Sequence, residues 1–347
     1  MATYYDINGQ KVQNLASDPS PVQEGQVWYN TTSNTAKVRG FTVSNTWASG
    51  ATFPAAGPAG YISYAGGCGT LDATLSAGGY NPTTSGVYKY DGTSWTTGTS
   101  MPVATQNISL NGTQTAAFAA AGNPTNINLN FDGSTWTYAG TPPQSLSGSI
   151  FYAWWGMGTQ TASLATRGGS DMSPTAGYTE TWDGTSWTAL GGTLNTGRQT
   201  GGANVGAGTT TDGLIAGGYL SGPAPEASQT TNATEHWDGT SWSSVNPINQ
   251  TRRGHMMRGD TSTEALIACG VNRDASPDYL NTSETYDGTS WTTQAAVPFG
   301  KLYVTGSGGN GSGFVFGGDT EGTNVPIRNA TAEWTGSYVE TKTITTS

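Results

Sequence analysis

The sequence predicts an all-β fold, a propeller of four-stranded blades, and three observations carry that expectation. The phrase Asp-Gly-Thr-Ser-Trp stands at residues 91–95, 183–187, 238–242 and 287–291, with a variant, Asp132-Gly-Ser-Thr-Trp136, and a degraded copy, Trp334-Thr-Gly-Ser-Tyr338. With the looser Asn45-Thr46-Trp47 in front, the closing aromatics Trp47, Trp95, Trp136, Trp187, Trp242, Trp291 and Tyr338 recur about every 48 residues, in the range of propeller blades and far from helical solenoid periods. A second mark recurs between them: Gly78-Gly79, Ala121-Gly122, Gly168-Gly169, Gly217-Gly218, Cys269-Gly270 and Gly317-Gly318. Third, 51 Gly and only 10% charged residues would read as low complexity, yet 12 Trp and 16 Tyr fall in register and supply the buried area that disordered segments lack.

The segment from Thr200 to Val245 shows one repeat most clearly. Residues 199–205 are a small-residue stretch, and Gly213-Leu-Ile-Ala216 is an apolar run ending at the double glycine, as an inner strand with close backbone neighbours would be. A polar loop follows. Thr234-Glu-His-Trp237 and Trp242-Ser-Ser-Val245 then flank Asp238-Gly239, a hairpin signal that sets Trp237 opposite Trp242. The same aromatic pair recurs as Tyr90/Trp95, Phe131/Trp136, Trp182/Trp187, Tyr286/Trp291 and Trp334/Tyr338. Six complete units therefore span residues 51–347, ending near 98, 140, 191, 246, 295 and 347.

Residues 1–50 form an N-terminal segment. Gly25-Gln-Val-Trp-Tyr-Asn-Thr-Thr-Ser-Asn-Thr-Ala-Lys-Val-Arg39 reads as a hairpin about a Thr-Thr-Ser-Asn turn, preceded by Asp18-Pro-Ser-Pro21. This hairpin and Trp47 supply outer strands for a seventh blade, with residues 3–7 or 341–345 adding an inner one. The alternative is six blades and a separate anchoring arm. Closure by the chain ends would remove the exposed sheet edges of an open ring.

The order of apolar run, double glycine, loop, aromatic and Trp resembles the kelch repeat, which implies a β-propeller around a central channel. The copies depart from the usual kelch pattern after the Trp, as in Trp187-Thr-Ala-Leu-Gly-Gly-Thr-Leu-Asn-Thr-Gly-Arg198. That phrasing resembles virion proteins of tailed phages of the marine, cyanophage type. The run from Glu24 to Thr35 is similar to a hairpin of phage tail and fibre proteins. The resemblance implies a non-enzymatic virion protein of tail, fibre or capsid, with other virion proteins as partners and a host-surface glycan or protein as a further one. It implies a virion location and a symmetric assembly. Two other readings stay open, a cytosolic kelch-type interaction adaptor and a glycan-processing propeller enzyme.

Net charge −10 and a pI near 4.5 speak against nucleic acid and anionic membrane surfaces as partners. No basic-then-apolar leader and no membrane-spanning stretch is legible, so neither secretion nor insertion is expected. Cys68 and Cys269 each stand in an apolar strand beside Gly without a Cys-x-x-Cys partner, and read as buried free thiols.

Catalytic groups are sparse, and no catalytic residue, metal or cofactor is expected. His236 alternates with the repeated Trp and reads as a blade-face residue; His255 has Arg252, Arg253 and Arg258 as neighbours, which oppose its protonation. The repeated Asp91, Asp132, Asp183, Asp238 and Asp287 read as turn residues bonding nearby amides rather than calcium ligands, since no Asp-x-Asp-x-Asp spacing occurs. Tyr152 and Trp154-Trp155 interrupt the repeat, as a gap filler or a sugar-stacking face. The loops that vary most, 80–86, 123–127, 170–178, 219–233, 271–282 and 319–329, fall on one rim with the connections between blades. Candidate recognition residues there are Tyr219, Glu226, Arg252, Arg253, Arg273, Asp274, Asp278, Asp319 and Glu321. Asp171 joins Asp274, Asp278, Asp319 and Glu321 as rim carboxylates whose spacing makes no catalytic pair.

Overall fold

A computed structural model describes residues 12–20, 26–42, 44–54, 62–80, 82–124, 126–140, 154–167, 179–199, 205–220, 230–274, 277–320, 328–336 and 338–344. The protein is an all-β propeller with seven four-stranded sheets. From the channel outward, the first blade is Gly66–Thr70, Ala73–Ala77, Val87–Tyr90 and Trp95–Thr97; the second Gln106–Gly112, Ala117–Asn123, Ile127–Phe131 and Trp136–Tyr138. The third is Trp154–Gly158, Ser163–Arg167, Thr179–Trp182 and Trp187–Ala189; the fourth Ala207–Gly208, Gly213–Ala216, Thr234–Trp237 and Trp242–Val245. The fifth is Met256–Arg258, Ala265–Ala268, Ser283–Tyr286 and Trp291–Thr293. The sixth takes Leu302–Gly308, Ser312–Asp319 and Ala332–Thr335 from one end of the chain and Thr46–Ser49 from the other.

The inner strands pack in sequence from first to sixth, and the sixth packs on the first. Between fourth and fifth the link is made by backbone bonds, Gly206 N to Met257 O at 3.3 Å and Gly208 N to Gly259 O at 3.0 Å. Six sheets thus close a circle within the compact unit Thr46–Thr335. The seventh is a unit of its own, Gln13–Leu15, Val27–Asn30, Thr35–Thr42 and Tyr338–Ile344, with its first pair parallel and the rest antiparallel. It contains the hairpin expected over residues 25–39. Asp18 organises it: its carboxylate accepts from Trp28 Nε1 at 3.0 Å, Asn30 Nδ2 at 2.8 Å and Lys37 Nζ at 2.7 Å. Those bonds, Lys37 foremost, hold its pKa down at about 2.

One pairing and one boundary differ from expectation. Trp334 does not face Tyr338; it faces Trp47, with ring centroids 5.3 Å apart, and Ala332 and Thr335 pair with Ser49 and Thr46. Tyr338 instead begins the last strand, in register with Thr42 of the separate unit. The sixth blade therefore ends at Thr335 and not at 347. The physical reason lies in the turn, since Thr335-Gly336-Ser337 lacks the aspartate that caps the other five hairpins. Without that hairpin the sixth blade's edge stays open until a strand from the far end of the chain covers it.

In the other five blades the hairpins hold the expected aromatic pairs, with centroids from 4.7 Å for Phe131/Trp136 to 5.7 Å for Trp182/Trp187. Four outer Trp side chains also reach across to the preceding blade. Their indole N–H groups donate to Thr99 O from Trp136, Asn128 Oδ1 from Trp187, Thr179 Oγ1 from Trp242 and Ser283 Oγ from Trp47, whereas the Trp291 N–H is buried without a partner among the described residues. Buried apolar side chains fill the spaces between blades, Leu214, Ile215 and Trp237 in one such cluster, Leu110, Ala119 and Phe131 in another.

Candidate functional site: the two ends of a channel

The hairpin aspartates are spent on their turns. In each, Oδ1 accepts the amides two and three residues on, as Asp238 does from Thr240 N and Ser241 N, both at 2.8 Å, while Oδ2 takes the Ser241 hydroxyl at 3.1 Å. Asp91, Asp132, Asp183 and Asp287 repeat the pattern. These bonds favour the charged form, and all five carboxyls sit below the usual range, Asp91 at about 2. A group depressed on folding contributes its stability in full above the unfolded pKa, near 3.9, and loses it as the pH falls through the folded value. The unfolding midpoint should therefore drop between about pH 4 and pH 2, and replacing all five by Asn should flatten that drop. Thermal melts at pH 7, 4, 3 and 2 check it; parallel curves for both proteins would refute it.

Two buried ion pairs, absent from the sequence reading, lock successive blades together. Arg198 pairs with Glu235, and Arg252 Nη2 lies 2.9 Å from Glu284 Oε1, with all four side chains essentially inaccessible. Glu235 also accepts from Asn195 N and Thr196 N, and Glu284 from Asn249 N and Gln250 N. Asn195 and Asn249 in turn donate to Trp242 O and Trp291 O. The segments after Trp187 and Trp242 are thus each pinned to the third and outer strands of the following blade. Its signal is a second repeat, Leu194-Asn-x-x-Arg198 and Ile248-Asn-x-x-Arg252, followed at the third strand by Thr/Ser-Glu.

In the sixth blade Lys301 stands at the arginine position and Ala332 at the glutamate position. The ammonium donates to Gly317 O at 3.1 Å, Arg328 O at 3.0 Å and Ala330 O at 2.8 Å. Burial lowers its pKa to about 7. From pH 7 upward the unfolded chain therefore holds a proton that the folded one releases, so stability rises with pH across that window. Above about pH 9 the thiols Cys68 and Cys269, both pushed up to about 12 by burial, act with the opposite sign. A rise in urea midpoint from pH 7 to 8.5 that vanishes in Lys301→Met is the expected result; an unchanged slope in the variant would count against it.

The predicted recognition residues separate into different places. Arg252 belongs to the buried spoke and is withdrawn from the rim, because the Glu284 carboxylate and the carbonyls of Cys269 and Thr282 hold it inside. Arg253 lies over the Tyr219 ring at 4.4 Å, Arg273 pairs with Asp278 at 2.6 Å, and Asp319 with Arg328 at 3.5 Å. Asp274 donates its backbone N–H to Asn272 Oδ1. Glu226, Glu321, Asp171 and Tyr152 lie outside the described residues, as do the side-chain surroundings of Trp154 and Trp155. His236 Nε2 lies 2.6 Å from Asp212 Oδ1, and His255 is fully buried with its pKa lowered to about 3 by desolvation and by Arg252. Cys68 and Cys269 are free and buried. Among the described residues no three His, Cys, Asp or Glu side chains converge as a metal site. No helix among them is long and apolar enough to cross a membrane.

The rim itself forms where loops after the double glycines meet the connections between blades. Short bridges join Ser63 to Tyr80, Gln199 to Tyr219 and Arg253 to Val271. Just inside, the chain enters its inner strands through a left-handed residue at Tyr64 (φ 57), Asn107 (φ 56), Gly254 (φ 61) and Tyr303 (φ 55). Asn and Gly adopt this conformation readily, whereas tyrosine is held there at a cost. Backbone bonds from Asn107 N to Tyr64 O and from Tyr64 N to Tyr303 O tie three blades into a belt. Tyr64 stacks on Tyr303 at 4.1 Å and meets Tyr80, which is 46% exposed, edge-on at 6.4 Å.

At the opposite end, where first and second strands turn, Gly69, Gly112, Gly158, Gly208, Gly259 and Gly308 form a ring, one from each of the six sheets of the unit Thr46–Thr335. A Cβ on any of them would lie 2.1–2.3 Å from a backbone oxygen of its own hairpin, so the turn admits only glycine. The ring lines a cavity of about 280 Å³. The repeated Gly-Thr of residues 69–70, 112–113, 158–159 and 208–209 is its trace in the sequence. No protein-family model matches the chain, and no curated protein matches it.

Proposed function

We propose that this protein is a non-enzymatic structural component of a tailed-phage virion, a propeller mounted on tail, fibre or capsid that presents the double-glycine rim for assembly or host-surface recognition. One observation carries the reading. Among the described residues the Arg198–Glu235 and Arg252–Glu284 spokes and the aspartate turns use charged side chains as scaffold, while the tyrosines at 64, 80 and 303 gather at one end. A rigid frame with variable loops is the usual division of labour in recognition modules. Glycoside hydrolysis would need two carboxyls at a fixed separation. Asp278 and Asp319 are each held by an arginine of the same rim. The phage-like phrasing of the repeats and of the N-terminal hairpin gives the virion setting.

Mass spectrometry of purified particles tests the setting, with the protein expected at a fixed ratio to the tail or capsid proteins; its absence from particles would overturn it. Pull-down by the isolated protein from host envelope, compared with Tyr80→Ser, tests the rim.

A further inference from the structure

Arg258 lies in the cavity at the end of the channel remote from the recognition rim, and no carboxylate among the described residues makes an ion pair with it, although Asp260 favours its charged form from a distance. Its chain leaves the inner strand of the fifth blade and crosses the axis, so that Nε donates to Gly306 O of the sixth blade and Nη2 to Gly67 O of the first and Leu110 O of the second, the last at 3.0 Å. Three blades thus hold the guanidinium on the channel axis through neutral carbonyls. No carboxylate among the described residues pairs with it, in contrast to Arg198 and Arg252. Its remaining nitrogen, Nη1, takes no part in these three bonds, and Arg258 forms part of the cavity wall. Met157 and Cys68 flank it inside; Thr159, Thr209 and Asp260, all exposed, stand at the opening.

We infer that this cavity is a binding site for one small oxoanion, a carboxylate or a sulfate-like group, held by Arg258 Nη1 at the closed end of the glycine-lined pocket. A guanidinium retains its charge when buried and offers oriented donors to oxygen pairs, and an unpaired buried charge is costly unless a ligand compensates it. Burial lowers the Arg258 pKa only to about 10, and the Cys68 thiol is pushed up to about 12, so at neutral pH the pocket holds a cation beside a neutral thiol. The glycine ring leaves room for polyatomic groups, since the hairpin turns around the cavity carry no side chain at those six positions. Net charge −10 disfavours casual anion binding elsewhere. Among the described residues Asp260 at the opening is the carboxylate lining the cavity, and it works against an anion.

Isothermal titration with sodium sulfate, and separately with sodium formate, at ionic strength fixed with sodium chloride, tests the site. Wild type is expected to show one saturable site with a dissociation constant on the order of millimolar. Asp260→Asn, a change at an exposed position, should tighten it by roughly threefold or more by removing a like charge. Arg258→Gln should abolish it, provided its denaturation midpoint shows it folded. Binding of formate alone assigns a carboxylate ligand, and binding of sulfate alone a tetrahedral oxoanion. No saturable heat with either salt in wild type, or an affinity unchanged in Asp260→Asn, overturns the inference independently of the function proposed for the rim.

Discussion

Replacing Arg252 with methionine is expected to cost about 3–5 kcal/mol of folding stability, a large part of the 5–15 kcal/mol typical of a folded domain. The cost arises from what the substitution strands. Glu284 would remain buried and charged with the amides of Asn249 and Gln250 as donors, the Cys269 carbonyl would lose the guanidinium, and the Thr282 carbonyl would keep the Cys269 N–H alone. The double variant Arg252→Met/Glu284→Gln should recover much of the loss, because a neutral amide oxygen still accepts those two backbone N–H groups and no unpaired charge remains. The two changes should therefore couple strongly rather than add. Urea denaturation of wild type, both single variants and the double variant measures the coupling. Additive losses, or a single variant within about 0.5 kcal/mol of wild type, would mean that the spoke does not hold the blades together.

That spoke was written in the sequence but in a form that periodicity of aromatics overlooks. Arg252 looked like one of a basic cluster on a connecting loop, because its partner lies more than thirty residues on, and nothing local assigns a loop arginine to a distant glutamate. The Asp-Gly hairpins were legible for the opposite reason: Asp238, Trp237 and Trp242 interact within a few residues, where turn chemistry decides the structure. The mouth of the channel was illegible at Tyr64 and Tyr303, since tyrosine carries no expectation of a left-handed backbone and only the surrounding ring enforces it. The glycine ring left a trace in the repeated Gly-Thr, hidden among many other glycines. The end of the ring was ambiguous in kind, because Trp47 and Tyr338 both fall in phase with the repeat. Only a pairing across almost the whole chain chooses between them.

That choice makes Trp47 the site of the second large effect. The strand Thr46–Ser49 completes the sixth blade, its indole packed on Trp334 and donating to Ser283 Oγ of the fifth at 3.0 Å. Thr331 donates to Ala51 O at 2.9 Å, and Trp95 of the first blade to the same carbonyl at 3.1 Å, so the residues just after this strand bridge the sixth blade to the first. Trp47→Ala should cost about 3 kcal/mol or somewhat less, since the ring is half-buried and full burial sets the usual range of 3–5. Removing residues 1–49 should do far more. It takes away the covering strand, leaves Ala332–Thr335 as an open edge, and cuts loose the bridge at Ala51 that joins the sixth blade to the first. The truncated chain is expected to associate through that edge, visible as concentration-dependent oligomers in sedimentation, while Trp47→Ala stays monodisperse relative to wild type at a lowered melting temperature. Supplying the missing segment in trans, as a peptide covering residues 44–54, should compete with that association. A truncated chain that remains as well dispersed and as stable as the full one would show that the ring closes without its N-terminal strand.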